Sequence, residues 1–319
     1  KYTECRKEKE MKLVRWLAFV AAIGTTALFV VFWEFWVKKQ DTIGPVITCE
    51  EESYSVPIDA TEKKLLDGVE ACDEEDGDVT DSLLIEKKKI IPDTKDFILT
   101  CVAMDSSNNV SKYERTITYE DYHSPHFIAK QPLRFVVGDE DPLLSNFKAE
   151  DCMEGDITSR IKLEKTNGSS NGEGIQTYEL SVANHLGDVA TLPISVEFYT
   201  DTYEDRLYYP NIYLTDYIYY IEKDKKFSPR NLLKQIQIGA TIYEYNKDDK
   251  KFYEMEEVEK EDGEGTELKK KKTGEEISGK DVEYKSDVDT SKKGVYTVQY
   301  SYQAENERLG TTQLIVVVE

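Results

Sequence analysis

Histidine, tryptophan, methionine and long apolar runs are what this chain has least of: 3 His, 3 Trp and 4 Met in 319 residues, and one apolar stretch long enough to cross a bilayer. No histidine stands beside an obvious Ser or Cys nucleophile, so hydrolase triads have no support. A Walker-type phosphate loop and a Gly-rich dinucleotide fingerprint are both missing. The chain is therefore expected to be no enzyme and to need no organic cofactor. Positive charge is scarce beyond the N-terminus. Residues 1–40 carry eight Lys/Arg against four Glu, a net of +4, which leaves −26 on the rest of a chain whose total is −22. Such an acidic body repels phosphate backbones, which excludes nucleic acid as a partner.

The single apolar stretch runs from Trp16 to Trp33, eighteen residues without a charge. As a helix it spans about 27 Å, close to the hydrocarbon thickness of a bilayer. All three tryptophans (Trp16, Trp33, Trp36) sit at its ends, as an aromatic belt requires. Six basic residues precede it and Lys38 and Lys39 follow. The expectation is a cytoplasmic stub over 1–12, a transmembrane helix over 13–37 that holds the chain in the cell membrane, and an extracytoplasmic remainder. A cleaved signal peptide starting at Met11 is the alternative, but no small-x-small cleavage site follows the run.

Beyond residue 40 the chain repeats. Asp73-Glu74-Glu75-Asp76-Gly77-Asp78-Val79-Thr80 returns 78 residues later as Asp151-Cys152-Met153-Glu154-Gly155-Asp156-Ile157-Thr158, and Pro125 lies eighty residues after Pro45. A period of that size fits one small β-sandwich. Alternating runs such as Phe97–Ala103, 113–119 and Tyr178–Ala183 read as half-buried strands, and Asp105–Asn109 as a turn. The expected fold is mostly β: tandem immunoglobulin-like sandwiches over 45–120, 125–199 and 211–319, preceded by one transmembrane α-helix. The third copy is divergent, with an insertion over about 242–280. Within it, 242–253 reads as a hairpin turning at Asn246–Asp249, and the Glu/Lys/Gly-rich 256–280 as a solvated or mobile loop.

The Asp-x-x-Asp-Gly-Asp-Val-Thr turn, the Tyr/Phe-alternating strand after it and Asp105-Ser-Ser-Asn-Asn109 together resemble the bacterial immunoglobulin-like repeat. That repeat recurs in cell-surface proteins and as an accessory domain of pesticidal crystal proteins. Asp289-Thr-Ser-Lys-Lys-Gly-Val-Tyr-Thr-Val-Gln-Tyr300 is similar to the later strands of the same family. The likeness covers about 45–319. It implies a sandwich used as a spacer or binding module, without catalytic residues. The second copy departs at Cys152-Met153, and the third lacks the acidic turn.

Each candidate site has a simpler account beside it. Asp73, Asp76 and Asp78 offer hard oxygen ligands of the kind Ca²⁺ takes, and an immunoglobulin-like topology brings Asp105 to the same end of the sandwich. The simpler and favoured account is a tight Asp-Gly-Asp turn whose carboxylates cap local N–H groups. Strand parity turns Cys49 and Cys101 inward, the best pair for a disulfide, whereas Cys72 falls out of phase and should face outward. Ala129 and Leu180 at the matching places in the second copy favour two reduced core residues instead. His123-Ser-Pro-His126 has a metal-like spacing, but Pro125 forbids a regular helix face, so it reads as linker. Asn109-Val-Ser and Asn167-Gly-Ser are glycosylation sequons by pattern. The expected function is a membrane-anchored, surface-displayed interaction, adhesion or spacer protein whose outer partner is a protein or a glycan. Two alternatives stay open: the ectodomain of a transmembrane sensor, or accessory modules of an envelope-polysaccharide enzyme.

Overall fold

The computed structural model describes all residues except 1, 38–40, 52, 93, 139–141, 168–171 and 261–264. Lys38 and Lys39, Asp139 and the Gly168-Ser169 pair of the second sequon lie outside the described residues. The chain divides into two compact units, Lys1–Glu120 and Asp121–Glu319.

The first unit begins with one helix, Tyr2–Val37, longer at its N-terminal end than the expected 13–37. Its stretch Glu10–Phe35 has mean hydropathy 2.0 and none of it is buried by the rest of the chain. Leu17, Phe19, Ile23, Phe29 and Phe32 are all exposed. No Pro interrupts the run, and Thr25 and Thr26 turn their hydroxyls back onto carbonyls of Ala21 and Ala22. That back-bonding removes the only polar side-chain groups in the middle of the helix from its surface.

The sandwich that follows closes two sheets over one core. One sheet holds Val46–Cys49, Val69–Asp73 and Gly77–Asp78. The other runs in the order Ser53–Val56, Val110–Tyr119, Asp96–Met104, Leu84–Ile90. Ser53–Val56 pairs in parallel with Thr116–Tyr119, so the chain starts on one sheet and crosses to the other. Along Asp96–Met104 burial alternates residue by residue, putting Phe97, Leu99, Cys101 and Ala103 in the core as their parity requires. Each fully buried Leu or Phe of this kind adds about 1.5–3 kcal/mol over its exposed state.

A buried cation interrupts that apolar core. Arg115 is 2 % exposed. Its guanidinium donates to the carbonyls of Leu65 (3.1 Å), Asp67 (2.8 Å) and Glu51 (3.4 Å) and lies 5.2 Å from the Tyr54 ring centroid. It thereby ties Leu65 at the end of the Glu62–Leu65 helical turn, Asp67 and Glu51 to the last strand.

The second unit contains two more sandwiches of the same plan. In the first of them His126–Ala129, Phe147–Asp151 and Gly155–Asp156 face the sheet Lys162–Asn167, Gly174–Ala183, Val189–Tyr199, Arg134–Val136. In the other, Ile218–Ile221, Leu309–Val318, Gly294–Gln303 and Val282–Ser286 form one sheet. The parallel crossover recurs in both, Arg134 against Glu197 and Ile218 against Ile315. These two copies are not independent beads. Their buried residues form one continuous apolar cluster from Phe127 to Val318, and the Phe127 N–H donates to the Tyr220 hydroxyl at 2.9 Å. Between them, the 200–210 segment contains the helix Tyr203–Tyr208, closed by a capping box at Thr202 and Asp205.

The 256–280 segment is not simply a loop. Lys251–Glu259 pairs with Thr266–Lys270, and Glu276–Ser278 pairs back on Lys251–Tyr253. Opposite charges meet across the strands: Glu256 stands opposite Lys269, and Lys251 reaches Glu276 at 2.7 Å. A composition that reads as solvated loop becomes a charged ribbon because its Glu and Lys residues complement each other in register.

Both acidic turns need glycine at one position. Gly77 (φ +74°) and Gly155 (φ +75°) adopt the left-handed region that a side chain resists. In the second turn Glu154 is the brace. It accepts two bonds from Arg160 (3.0 and 2.6 Å) and one from the His185 N–H (2.6 Å), and Arg160 foremost lowers its carboxyl to about 2.

Two outcomes follow from these contacts. Arg115→Met leaves the Leu65 and Asp67 carbonyls buried without their donor, and should destabilise the first unit by about 2–3 kcal/mol in urea unfolding, with the second unit's transition unmoved. Because the folded carboxyl of Glu154 lies below its ordinary value, its stabilisation is complete above about pH 4.5 and fades as pH falls toward 2. With Arg160 45 % exposed the effect is on the order of 1 kcal/mol. Glu154→Gln should flatten that part of the stability–pH curve of the second unit, lowering its stability by about 1 kcal/mol above pH 5 and converging on the unsubstituted protein near pH 2.

Candidate functional site

Strand pairing brings three separate stretches to one end of the first sandwich. Val46 stands opposite Cys72, so the residues just before Val46 arrive beside Asp73. The Asp105–Asn109 loop joins the last two strands at the same end. There Asp41, Asp73 and Asp105 each point a carboxylate oxygen into a common space, all within 4.8 Å of one another.

Each carboxylate is oriented by backbone donors. Asp73 Oδ1 accepts from the N–H groups of Glu75 (2.9 Å) and Asp76 (3.0 Å). Asp105 Oδ1 accepts from Asn109 N–H at 2.8 Å and its Oδ2 from Asn109 Nδ2 at 2.7 Å. The same amide donates to the carbonyls of Asp41 (3.1 Å) and Ile43 (3.3 Å). Asp41 Oδ1 accepts from Ile43 N–H at 3.0 Å, while its Oδ2 is sealed from solvent and has no hydrogen-bond partner. Burial pushes the Asp105 carboxyl up, but hydrogen bonding from Asn109, the Ser107 N–H and the Asp41 side chain together holds the group below its usual range. Asn109, the first sequon's acceptor, is thus committed to the fold.

Of the four carboxylates singled out in the sequence, the structure brings two together. Asp76 instead accepts from Ser106, at 2.7 Å from its N–H and 2.8 Å from its hydroxyl, pinning the acidic turn to the last loop. Asp78 caps Thr80 N–H at 3.0 Å, and hydrogen bonding from Thr80 lowers its carboxyl. These two behave as the tight-turn account expects. Asp41 was missed. Its signal lay in the repeat: it stands four residues before Pro45, as Asp121 stands four before Pro125.

The other two sandwiches show what the same corner becomes without a carboxylate triad. The N–H to O=C bond that closes the loop in the first copy, Asp105 to Asn109, recurs as Asn184 to Asp188 and as Ala304 to Arg308. In the second copy Tyr122, 1 % exposed, fills the corner. Its hydroxyl donates to Asp188 Oδ2 at 2.6 Å and accepts from Asn184 Nδ2 at 3.0 Å, and that amide also donates to Asp151 Oδ2 at 3.0 Å. In the third copy Ala304 stands in the place of Asp105, and the acidic turn is gone. One corner is anionic, one is filled by neutral donors, one carries Ala.

Cys101 is buried and Cys49 half-buried, as parity expected, and Cys72 is exposed. Cys49 and Cys101 are free thiols here, not a disulfide; Cys49 Sγ donates to the Glu51 carbonyl at 3.0 Å. His126 stacks between His123 and Tyr220, with ring centroids 4.0 and 3.7 Å away, and its Nε2 meets Glu319 at 3.0 Å. The two histidines pack at the start of the second unit and form no metal-ligand group among the described residues.

No protein-family model and no curated protein matches the sequence. Among solved structures the chain is similar to the M60 catalytic domain with the CBM51-1 and CBM51-2 domains from Clostridium perfringens ZmpB, at 10% identity and TM-score 0.23, over 71% of this chain and 33% of that one. It is similar to the lipoprotein BT2262 from Bacteroides thetaiotaomicron, at 14% identity and TM-score 0.20, over 60% of this chain and 98% of that one. It is also similar to mouse Cadherin-23 EC22-24, at 14% identity and TM-score 0.19, over 86% and 98%. The chain spans about a third of the length of the first of these.

Proposed function

We propose that this protein is a membrane-anchored, surface-displayed repeat protein that presents β-sandwiches to a protein or glycan partner and catalyses nothing. The observation that carries the reading is the combination, in one chain, of a helix whose apolar side chains are all exposed over Glu10–Phe35 and three sandwiches of one plan. Covering that helix with lipid removes some twenty apolar side chains from water, far more than the acidic sandwiches, net −26 with their linkers, offer as an alternative surface. The basic flank before Trp16 supports an N-terminus inside and residues from about 41 onward outside. The loops at the sandwich ends and the charged ribbon of 251–270 are the surfaces where partner contacts are expected.

The test is made on cells producing the full chain. Alkaline carbonate should leave the protein in the membrane fraction, and removal of residues 13–37 should release it. Protease added to intact cells should digest residues beyond 41. Protection of that portion, or extraction of the intact chain by carbonate, would overturn the reading, and turnover of peptidoglycan fragments by the purified protein would overturn its non-catalytic part.

A further inference from the structure

We infer that the first sandwich holds a single Ca²⁺ ion between Asp41, Asp73 and Asp105, and that this ion fastens the segment following the apolar helix to the sandwich. A ligand set for Ca²⁺ consists of hard oxygens about 2.4 Å from the ion, so opposed ligands stand about 4.8 Å apart. Oxygens from the three carboxylates fall within that span of one another. Acidic side chains often gather on surfaces without an ion, but two of these three are buried and Asp41 is half-buried. Asp73 and Asp105 are each 5 % exposed.

The orphaned oxygen points the same way. Asp41 Oδ2 is shut off from solvent, takes no hydrogen bond, and belongs to a carboxylate aimed at two others. Among the described residues no ion pair reaches any of the three, so no described Lys, Arg or His compensates them. A buried, unpaired carboxylate oxygen beside two like charges is costly, and a divalent cation is the group that turns all three into ligands.

The second sandwich supplies an internal control. Its equivalent corner holds two donors, the Tyr122 hydroxyl and the Asn184 amide, between Asp151 and Asp188. There the protein provides the electropositive filler from its own side chains. Asp105, an acceptor, occupies the place of the donor Asn184, while Asn109, which donates to Asp105, occupies that of Asp188; the Tyr122 hydroxyl has no counterpart among the bonds of the first corner. Three carboxylates from separate stretches, completed by water, match the open, moderate-affinity sites of extracellular modules, with dissociation constants of about 0.1–1 mM. That affinity rests on the extracytoplasmic placement proposed above; the site itself does not.

The experiment is calorimetric titration of CaCl₂ into the chelator-stripped full chain in detergent, with thermal melts alongside. One ion per chain is expected, raising the melting of the first unit by about 5 °C at tenfold excess over the dissociation constant, with Mg²⁺ a poor substitute. Asp105→Asn copies what the second sandwich already carries, so it should fold; it and Asp41→Asn should each weaken binding about tenfold or more, while Asp78→Asn leaves it intact. Should Asp41→Asn prove unfolded by circular dichroism, Asp105→Asn decides. Absence of heat and of any melting shift at millimolar Ca²⁺ overturns the inference, as does unchanged binding in Asp105→Asn. Equal response to Mg²⁺ overturns the assignment to Ca²⁺. Binding in a chain whose outer residues prove protected from protease would overturn the proposed location and leave the ion site standing.

Discussion

The parallel crossover at the start of each sandwich is the constraint on which the rest of the structure depends. In all three copies a short first strand lies on one sheet, and the chain then crosses to pair in parallel with the last strand of the other. This closes both sheets over one core, since the edge beside the last strand is covered by the chain's own beginning. It also fixes which loops meet. The segment ahead of the first strand, the turn after Asp73 or Asp151 and the loop before the last strand must converge at one end, so any polar residue in those three places becomes a neighbour of the others.

That corner is a tertiary position solved three times with different chemistry. Carboxylates converge in the first copy, a tyrosine hydroxyl and an amide bridge two aspartates in the second, and Ala304 occupies the place in the third. The cores vary in a similar way. Arg115, buried on three backbone carbonyls, stands in the first copy where Ile194 stands in the second, and Cys101 where Leu180 stands. A cation is tolerated there because the short helical turn ending at Leu65 directs carbonyls inward to receive it. The second copy, with an apolar residue at that position, instead shares one apolar cluster with the third.

Much of the fold was legible in the residues. Alternation in 97–103 sorted the core face because side chains leave a strand on opposite sides. The 78-residue recurrence announced a module, and the Gly77/Gly155 turns needed glycine by backbone geometry alone. The ribbon at 251–270 was not legible, since its Glu and Lys runs look solvated until register sets them opposite each other. The sharing of one core by the second and third copies was hidden as well, because apolar periodicity shows which face of a strand is buried but not against what. At the candidate site, Asp73 and Asp105 were readable from topology. Asp41 was marked only by its place four residues before Pro45 in the repeat, and the pairing of Val46 with Cys72 is what carries it to the other two. Asp76 and Asp78 had the right chemistry and the wrong direction.

Local covalent facts, which need no partner, were settled by sequence: which stretch is apolar enough to seek lipid, which strands have an inner face, which turns demand glycine, and how charge divides between the N-terminal forty residues and the rest. What depends on residues far apart in the chain was decided only in three dimensions. The grouping of Asp41 with Asp73 and Asp105, the replacement of that group by Tyr122 and Asn184, and the fusion of two sandwiches into one unit all arise from contacts over tens of residues, and no spacing along the chain encodes them.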